Sequence, residues 1–279
     1  MSVKYKTKYA CHPEDFRTYD TEKLRSDFLL DSLFSDNTVN LYYTHYDRFI
    51  VGGAKPSSSP LKLETIDPLK ANYFLERREI GIINVGGTGI VKVGETEYTL
   101  EHKEALYIGR GAEGVYFLKS GNEQPLFYLN SAPAHKSFPT KKISQSDAEV
   151  VELGSLETAN HRVIRKLIVN SIVETCQVQM GMTQLKTGSV WNTMPAHVHD
   201  RRMEAYFYFE VPEDQIVCHF LGEPQHTRHI WLKNNQAVLS PPWSIHCGSG
   251  TSNYTFIWGM AGENLDYGDM DTFDVTEMR

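Results

Sequence analysis

Cysteine is scarce and scattered in this chain. Cys11, Cys176, Cys218 and Cys247 form no Cys-Xaa-Xaa-Cys pair, which argues against both a disulfide framework and a zinc ribbon. Cys247 adjoins His246, but on a strand the two side chains face opposite ways, so packing is its expected role. No apolar run approaches the length of a membrane span, and the opening residues MSVKYK carry no apolar signal core. Positive charge is also short: 28 Lys and Arg stand against 35 Asp and Glu, for a net charge of −7 and no basic stripe of the kind that binds nucleic acid. The expectation is a cytoplasmic protein with no membrane or nucleic-acid partner. Any anionic ligand must then find a local cationic pocket.

What the chain does have is apolar residues, 41% of 279, enough for one large core or two medium ones. Leu24, Phe28 and Leu29 lie at helical offsets behind Asp20 or Thr21, which predicts one short amphipathic helix within 21–34. After it, short runs of β-branched and aromatic residues alternate with glycine turns from 39 to 129, and the same pattern returns in 176–182, 205–211, 216–220 and 254–258. Regular short strands with glycine punctuation mean an all-β sandwich or barrel. The polar stretch 141–160 reads as a connector between an N-terminal module, 1–140, and a C-terminal module, 161–279. The segment 75–80 echoes 199–204, and 104–107 echoes 236–239, which suggests two modules of one kind.

The chemistry concentrates in NTMPAHVHDRRME, residues 192–204. His197 and His199, two apart on an extended segment, point to one face and can grip one ion. Glu204 follows across a short charged turn that can fold its carboxylate back beside them, and His246, several strands later, is the best candidate for a fourth ligand. Three neutral nitrogens and one carboxylate suit zinc, iron(II), manganese or nickel, with positions left open for water or substrate. In the first module the corresponding positions are apolar, so only the second is expected to hold metal.

A HisXaaHis, an acid a few residues on and a later His resemble the cupin motif. The strings WNTMPAHVHDRRMEAYFYF (191–209), PQHTRHIWL (224–232), QAVLSPPWSIHCG (236–248) and YTFIWGMAGEN (254–264) are similar to the 5-keto-4-deoxyuronate isomerase family. In the first half YFLERREIGIINVGGTG (73–89) and SAPAHKSFPTKK (131–142) fit the same family. The resemblance implies a bicupin, two jelly-roll-like β-barrels in tandem with a short N-terminal helix. It also implies a homohexamer and a zinc enzyme whose ligands fall on His197, His199, Glu204 and His246. His226, within PQHTRHI, stands where an acid would be expected.

The implied reaction interconverts 5-dehydro-4-deoxy-D-glucuronate and its ketose isomer, 3-deoxy-D-glycero-2,5-hexodiulosonate, in pectin and uronate breakdown. Moving a carbonyl by one carbon removes a weakly acidic C–H proton, and a divalent cation beside the oxygens would stabilise the resulting charge. A hydride shift would use the same chelate. Candidate bases for the proton route are His229, His226, Glu223 and Tyr206. Arg162, Lys166, Arg201, Arg202 and Arg228 are candidates to hold the substrate carboxylate, and Trp191, Trp243 and Tyr254 to line the barrel. Two rival functions carry the same motif: an iron-dependent bicupin dioxygenase, and a non-catalytic cupin that binds sugar acids.

Overall fold

A computed structural model describes residues 3–279, which sort into two compact units. One comprises 3–7, Ser32–Glu149 and Leu167–Met180, the other Lys8–Asp31, Val150–Lys166 and Gly181–Arg279. Within 141–160, the stretch expected to connect the modules, Lys141–Ile143 and Glu149–Leu153 are strands. No helix among the described residues is long and apolar enough to cross a membrane.

The first unit pairs a seven-stranded sheet with a four-stranded one. The larger sheet runs Val3–Lys8, Thr38–Thr44, Ile50–Lys55, Phe127–Pro133, Arg78–Asn84, Ala105–Ile108, Lys141–Ile143 in spatial order. The smaller runs Leu61–Lys62, Val115–Lys119, Gly89–Val93, Thr96–Leu100. Inward-facing side chains from both sheets, among them Ile80, Ile82, Phe117, Phe127 and Leu129, fill the space between them. Leu75 and Ile80, the counterparts of His199 and Glu204 in the internal repeat, belong to that packed core and leave no polar lumen.

Glu79 anchors this unit from the other face of the same strand. Its buried carboxylate accepts hydrogen bonds from the successive amides of Cys176, Gln177 and Val178 at 2.6–2.8 Å, and from the Tyr107 hydroxyl at 2.7 Å. Four donors satisfy a group whose burial would otherwise be strongly unfavourable.

The second unit repeats the plan strand for strand. Its larger sheet runs Glu149–Leu153, Arg162–Ile168, Gln179–Leu185, Thr255–Gly262, Arg202–Phe209, Gln236–Ser240, Leu29–Leu30, and its smaller sheet Trp191–Asn192, Ile245–Gly250, Val217–Gly222, Arg228–Leu232. Each unit is thus a jelly-roll-like sandwich, and the chain is all-β with a small helical N-terminal segment. The helix expected within 21–34 spans Thr21–Phe28, with the Asp20 side chain accepting from the Lys23 amide at 2.8 Å as its cap. It stops at Leu29 because Leu29 and Leu30 become an edge strand paired with Val238 and Ala237, so tertiary pairing overrides the helical pattern. A second short helix, Pro13–Phe16, precedes it and was not apparent in the sequence.

Candidate metal centre

Four side chains from the second unit converge. In the strand Arg202–Phe209 the period of two sends Arg202, Glu204, Tyr206 and Tyr208 to one face. His197 comes from the short strand His197–Val198, paired with Asp271–Thr272, and His199 from the turn beyond it, closed by the Arg202 amide donating to the His199 carbonyl. His246 stands on Ile245–Gly250, opposite Leu221.

The ligand atoms of His197, His199, Glu204 and His246 all lie within 4.8 Å of one another. His199 Nε2 is 2.9 Å and His246 Nε2 3.0 Å from Glu204 Oε2, while His197 Nε2 is 2.9 Å from His246 Nε2. His199, Glu204 and His246 are buried. Burial, then the neighbouring His246, push His197 down to about 3, so its imidazole is neutral. Burial alone would raise the Glu204 carboxyl, but His246 and His199 outweigh it and hold the group below the ordinary carboxylate range. For His199, burial lowers the pKa, and the hydrogen bond and charge of Glu204 overcome this to raise it.

This donor set fits a divalent cation. Imidazole lone pairs crowded at 2.9 Å have only a shared proton to hold them together, whereas a cation accepts from both. The opposite ring nitrogens are also engaged: His199 Nδ1 lies 2.9 Å from the Arg202 carbonyl, and His246 Nδ1 3.1 Å from Ser240 Oγ. Such outer contacts fix the tautomer that leaves Nε2 free to ligate.

Beside the cluster lies a cavity of about 310 Å³, walled by His197, His199, Glu204, Tyr206 and an apolar set that includes Phe256, Trp258 and Met260. Trp258 can lie against the neighbouring strand because residue 181 is glycine; a Cβ there would meet its Cζ2 at 2.2 Å. Arg162, Lys166 and Arg202 line the same cavity. Arg202 is fully buried and bonded to Asp269, yet its Nε and Nη1, like Trp258 Nε1, have no hydrogen-bond partner. Lys166 Nζ sits 4.6 Å above the Tyr267 ring.

The other sequence candidates lie elsewhere. His229 is exposed on the strand Arg228–Leu232, His226 is exposed in the turn before it, and Glu223 is tied to Arg17 Nε at 2.9 Å. Arg201 is exposed and paired with Glu263, and Arg228 donates to the carbonyls of Thr227 and Arg17. Trp191 stacks on Phe220, Trp243 packs on Phe16, and Tyr254 is hydrogen-bonded to Asn192 deeper in the barrel. None of these eight lines the cavity. Of the proposed bases only Tyr206 does, with its hydroxyl 2.8 Å from Thr193 Oγ1.

The sequence reading passed over His219, which is buried with Nδ1 2.8 Å from the Tyr208 hydroxyl and with Nε2 unpartnered. Its inward phase with Val217 and Leu221 was the available signal.

A profile of the KduI/IolB family matches residues 29–276. The chain belongs to this family. Members similar to it include the 4-deoxy-L-threo-5-hexosulose-uronate ketol-isomerase of Formosa agariphila, 65% identical with all of both chains covered. The Bacillus subtilis protein of the same name is 52% identical over 95% of this chain and 96% of its own. Among solved structures, an IolB-like protein from Salmonella typhimurium covers 81% of this chain and 86% of its own at 15% identity, with a TM-score of 0.66. A Bacillus subtilis oxalate decarboxylase variant covers 81% of this chain and 71% of its own at 8% identity, with a TM-score of 0.56. These two likenesses concern the fold: the family's double-barrel plan is shared with proteins of other activities.

Proposed function

We propose that this chain is an aldose–ketose isomerase of uronate catabolism that converts 5-dehydro-4-deoxy-D-glucuronate to 3-deoxy-D-glycero-2,5-hexodiulosonate, with zinc held by His197, His199, Glu204 and His246. The observation that carries the reading is the meeting of this His and Glu cluster with Arg162 and Lys166 on one cavity. A candidate cation site and cationic side chains on one cavity suit an oxygen-rich anion, and a keto-uronate is one. The names of the full-length relatives support the same substrate.

His197, His199, Glu204 and His246 would hold a divalent cation, which would supply Lewis acidity to a substrate carbonyl. Arg162 and Lys166 give the substrate carboxylate cationic partners on the cavity wall and so fix which carbons face the cluster, while Arg202 is already paired with Asp269. Burial holds the Tyr206 hydroxyl well above its usual pKa, so it keeps its proton and serves as a donor to a sugar oxygen rather than as the base. Phe256, Trp258 and Met260 exclude water from that region. A homohexamer, a cytoplasmic location and a place in pectin degradation belong to the same reading.

The test is NMR of the metal-loaded protein with the unsaturated-uronate breakdown product in deuterated water. Aldose loss with deuterium entering the carbon that loses its proton is the expected outcome. Oxygen uptake without isomerisation would support the dioxygenase instead, and no turnover at full metal loading would sink the enzyme reading.

A further inference from the structure

Among the described residues the first unit gathers no metal-ligating cluster, yet it has a second charged hollow that the isomerase reading does not use. A cavity of about 260 Å³ is lined by Arg48, Arg77 and Arg78 together with Tyr43, Pro68, Leu69, Ala71, Phe74 and Pro133, and no acidic residue is among these. In a chain of net charge −7, three arginines lining one cavity without an acidic residue are an anomaly.

Arg78 is the centre of it. It is 5% exposed, and its hydrogen bonds go to Ser131 Oγ at 3.1 Å, the Ser131 carbonyl at 2.8 Å and the Arg48 carbonyl at 2.7 Å. All three acceptors are neutral, and Nη1 makes none of these bonds. The neighbouring acid, Glu79, is already committed to four donors. A buried guanidinium with no carboxylate bonded to it is unfavourable unless something completes it.

The second unit shows what completes such a group. Arg202 opens the strand that corresponds to Arg78–Asn84, 124 positions on, and there Asp269 provides the carboxylate. Among the described residues no carboxylate forms an ion pair with Arg78, and Glu79 acts on it only as a nearby charge.

The rim is built in keeping with this. Asp47 and Arg48 both take positive φ, 46° and 53°, in a turn closed by the Phe49 amide donating to the Tyr46 carbonyl. The conformation turns the Arg48 carbonyl onto Arg78, although two successive non-glycine residues there are strained by on the order of 1–3 kcal/mol each. On the other side Lys70, with φ 44°, caps the short helix Asp67–Leu69, and its carbonyl accepts from Arg77.

We propose that this hollow is a binding site for the carboxylate of a small organic acid, which takes at Arg78 the place that Asp269 takes at Arg202. Arg48 and Arg77 flank the carboxylate, and Tyr43, Leu69 and Phe74 pack against the carbon skeleton. That apolar wall favours an organic acid over inorganic phosphate, which has nothing to bury against it.

The experiment titrates D-glucuronate into the metal-loaded enzyme, into Arg162→Met, and into Arg48→Gln/Arg77→Gln, by calorimetry at low salt. The expected result is a binding event that persists in Arg162→Met and weakens at least ~10-fold in the double variant, while its isomerisation rate and melting temperature match the parent. If the double variant melts lower, Arg77→Gln alone is read in the same way. Absence of any event in Arg162→Met, equal affinity in the double variant, or tighter binding of phosphate than of D-glucuronate would overturn the proposal.

Discussion

His246 Nε2 stands 3.0 Å from Glu204 Oε2, and the imidazole is held there from behind by Ser240 Oγ at 3.1 Å from Nδ1. The two groups arrive on strands from different sheets, so their meeting is a product of the sandwich rather than of local sequence.

Removing one of them should empty the centre. In His246→Ala, two imidazoles and a carboxylate remain, and bound metal measured by mass spectrometry should fall to a small fraction of the parent's. Isomerisation should drop more than ~100-fold. Circular dichroism should be unchanged, because the strand Ile245–Gly250 keeps its backbone pairing. Chelation of the parent should give the same loss, restored by added divalent metal. Full turnover in metal-free protein would contradict the assignment.

Ser240→Ala tests the support behind His246. It removes one hydroxyl from a fully packed position and should weaken metal affinity by ~10–100-fold in chelator competition. Turnover of the fully loaded variant should stay within a few-fold of the parent.

Acid should destabilise the metal-stripped protein in a defined window. Burial pushes His219 down to about 3, whereas an unfolded chain takes up the proton near ~6.5. Between those values the unfolded state binds more protons, so stability is full above ~6.5 and is lost as the pH falls towards 3. His197, held to about 3 as well, adds to the same slope. Melting temperature followed from about pH 7 down to about pH 4 should fall, and His219→Asn should flatten the fall. An unchanged slope would mean that His219 is not held neutral.

Substrate orientation is read by Arg162→Met. Its removal should raise KM at least ~10-fold with a smaller effect on kcat, since a carboxylate contact is made in ground and transition states alike. Arg201→Ala, which breaks only an exposed pair with Glu263, should change KM less than ~2-fold.

The reach of sequence reasoning follows from these residues. Two histidines two apart, an acid past a turn and strands of period two were enough to name the four groups that converge. The same periodicity gives the phase of a side chain and not its depth. Tyr254, a candidate to line the barrel, shares its phase with Phe256 and Trp258, yet it lies beyond the cavity, bonded to Asn192. His229 is exposed next to the buried Ile230, and no local signal told which of the two points inward. Lys166 and Arg162 reach the cavity from a strand far from the ligands in sequence, which only strand order could settle. The apolar packing of Leu75 and Ile80 in the first module, by contrast, was legible because both are plainly apolar.

That difference between the modules has a mechanical consequence. Leu75, Ile80, Phe117 and Phe127 pack together between the sheets of the first unit, while the second holds a cavity of about 310 Å³ beside its ligand cluster. The hollow jelly roll should therefore be the softer one, with amides of Arg202–Phe209 exchanging with deuterium faster than those of Arg78–Asn84 when metal and substrate are absent. Ligands that fill the hollow would narrow that gap, so reactivity and rigidity are divided between two copies of one architecture.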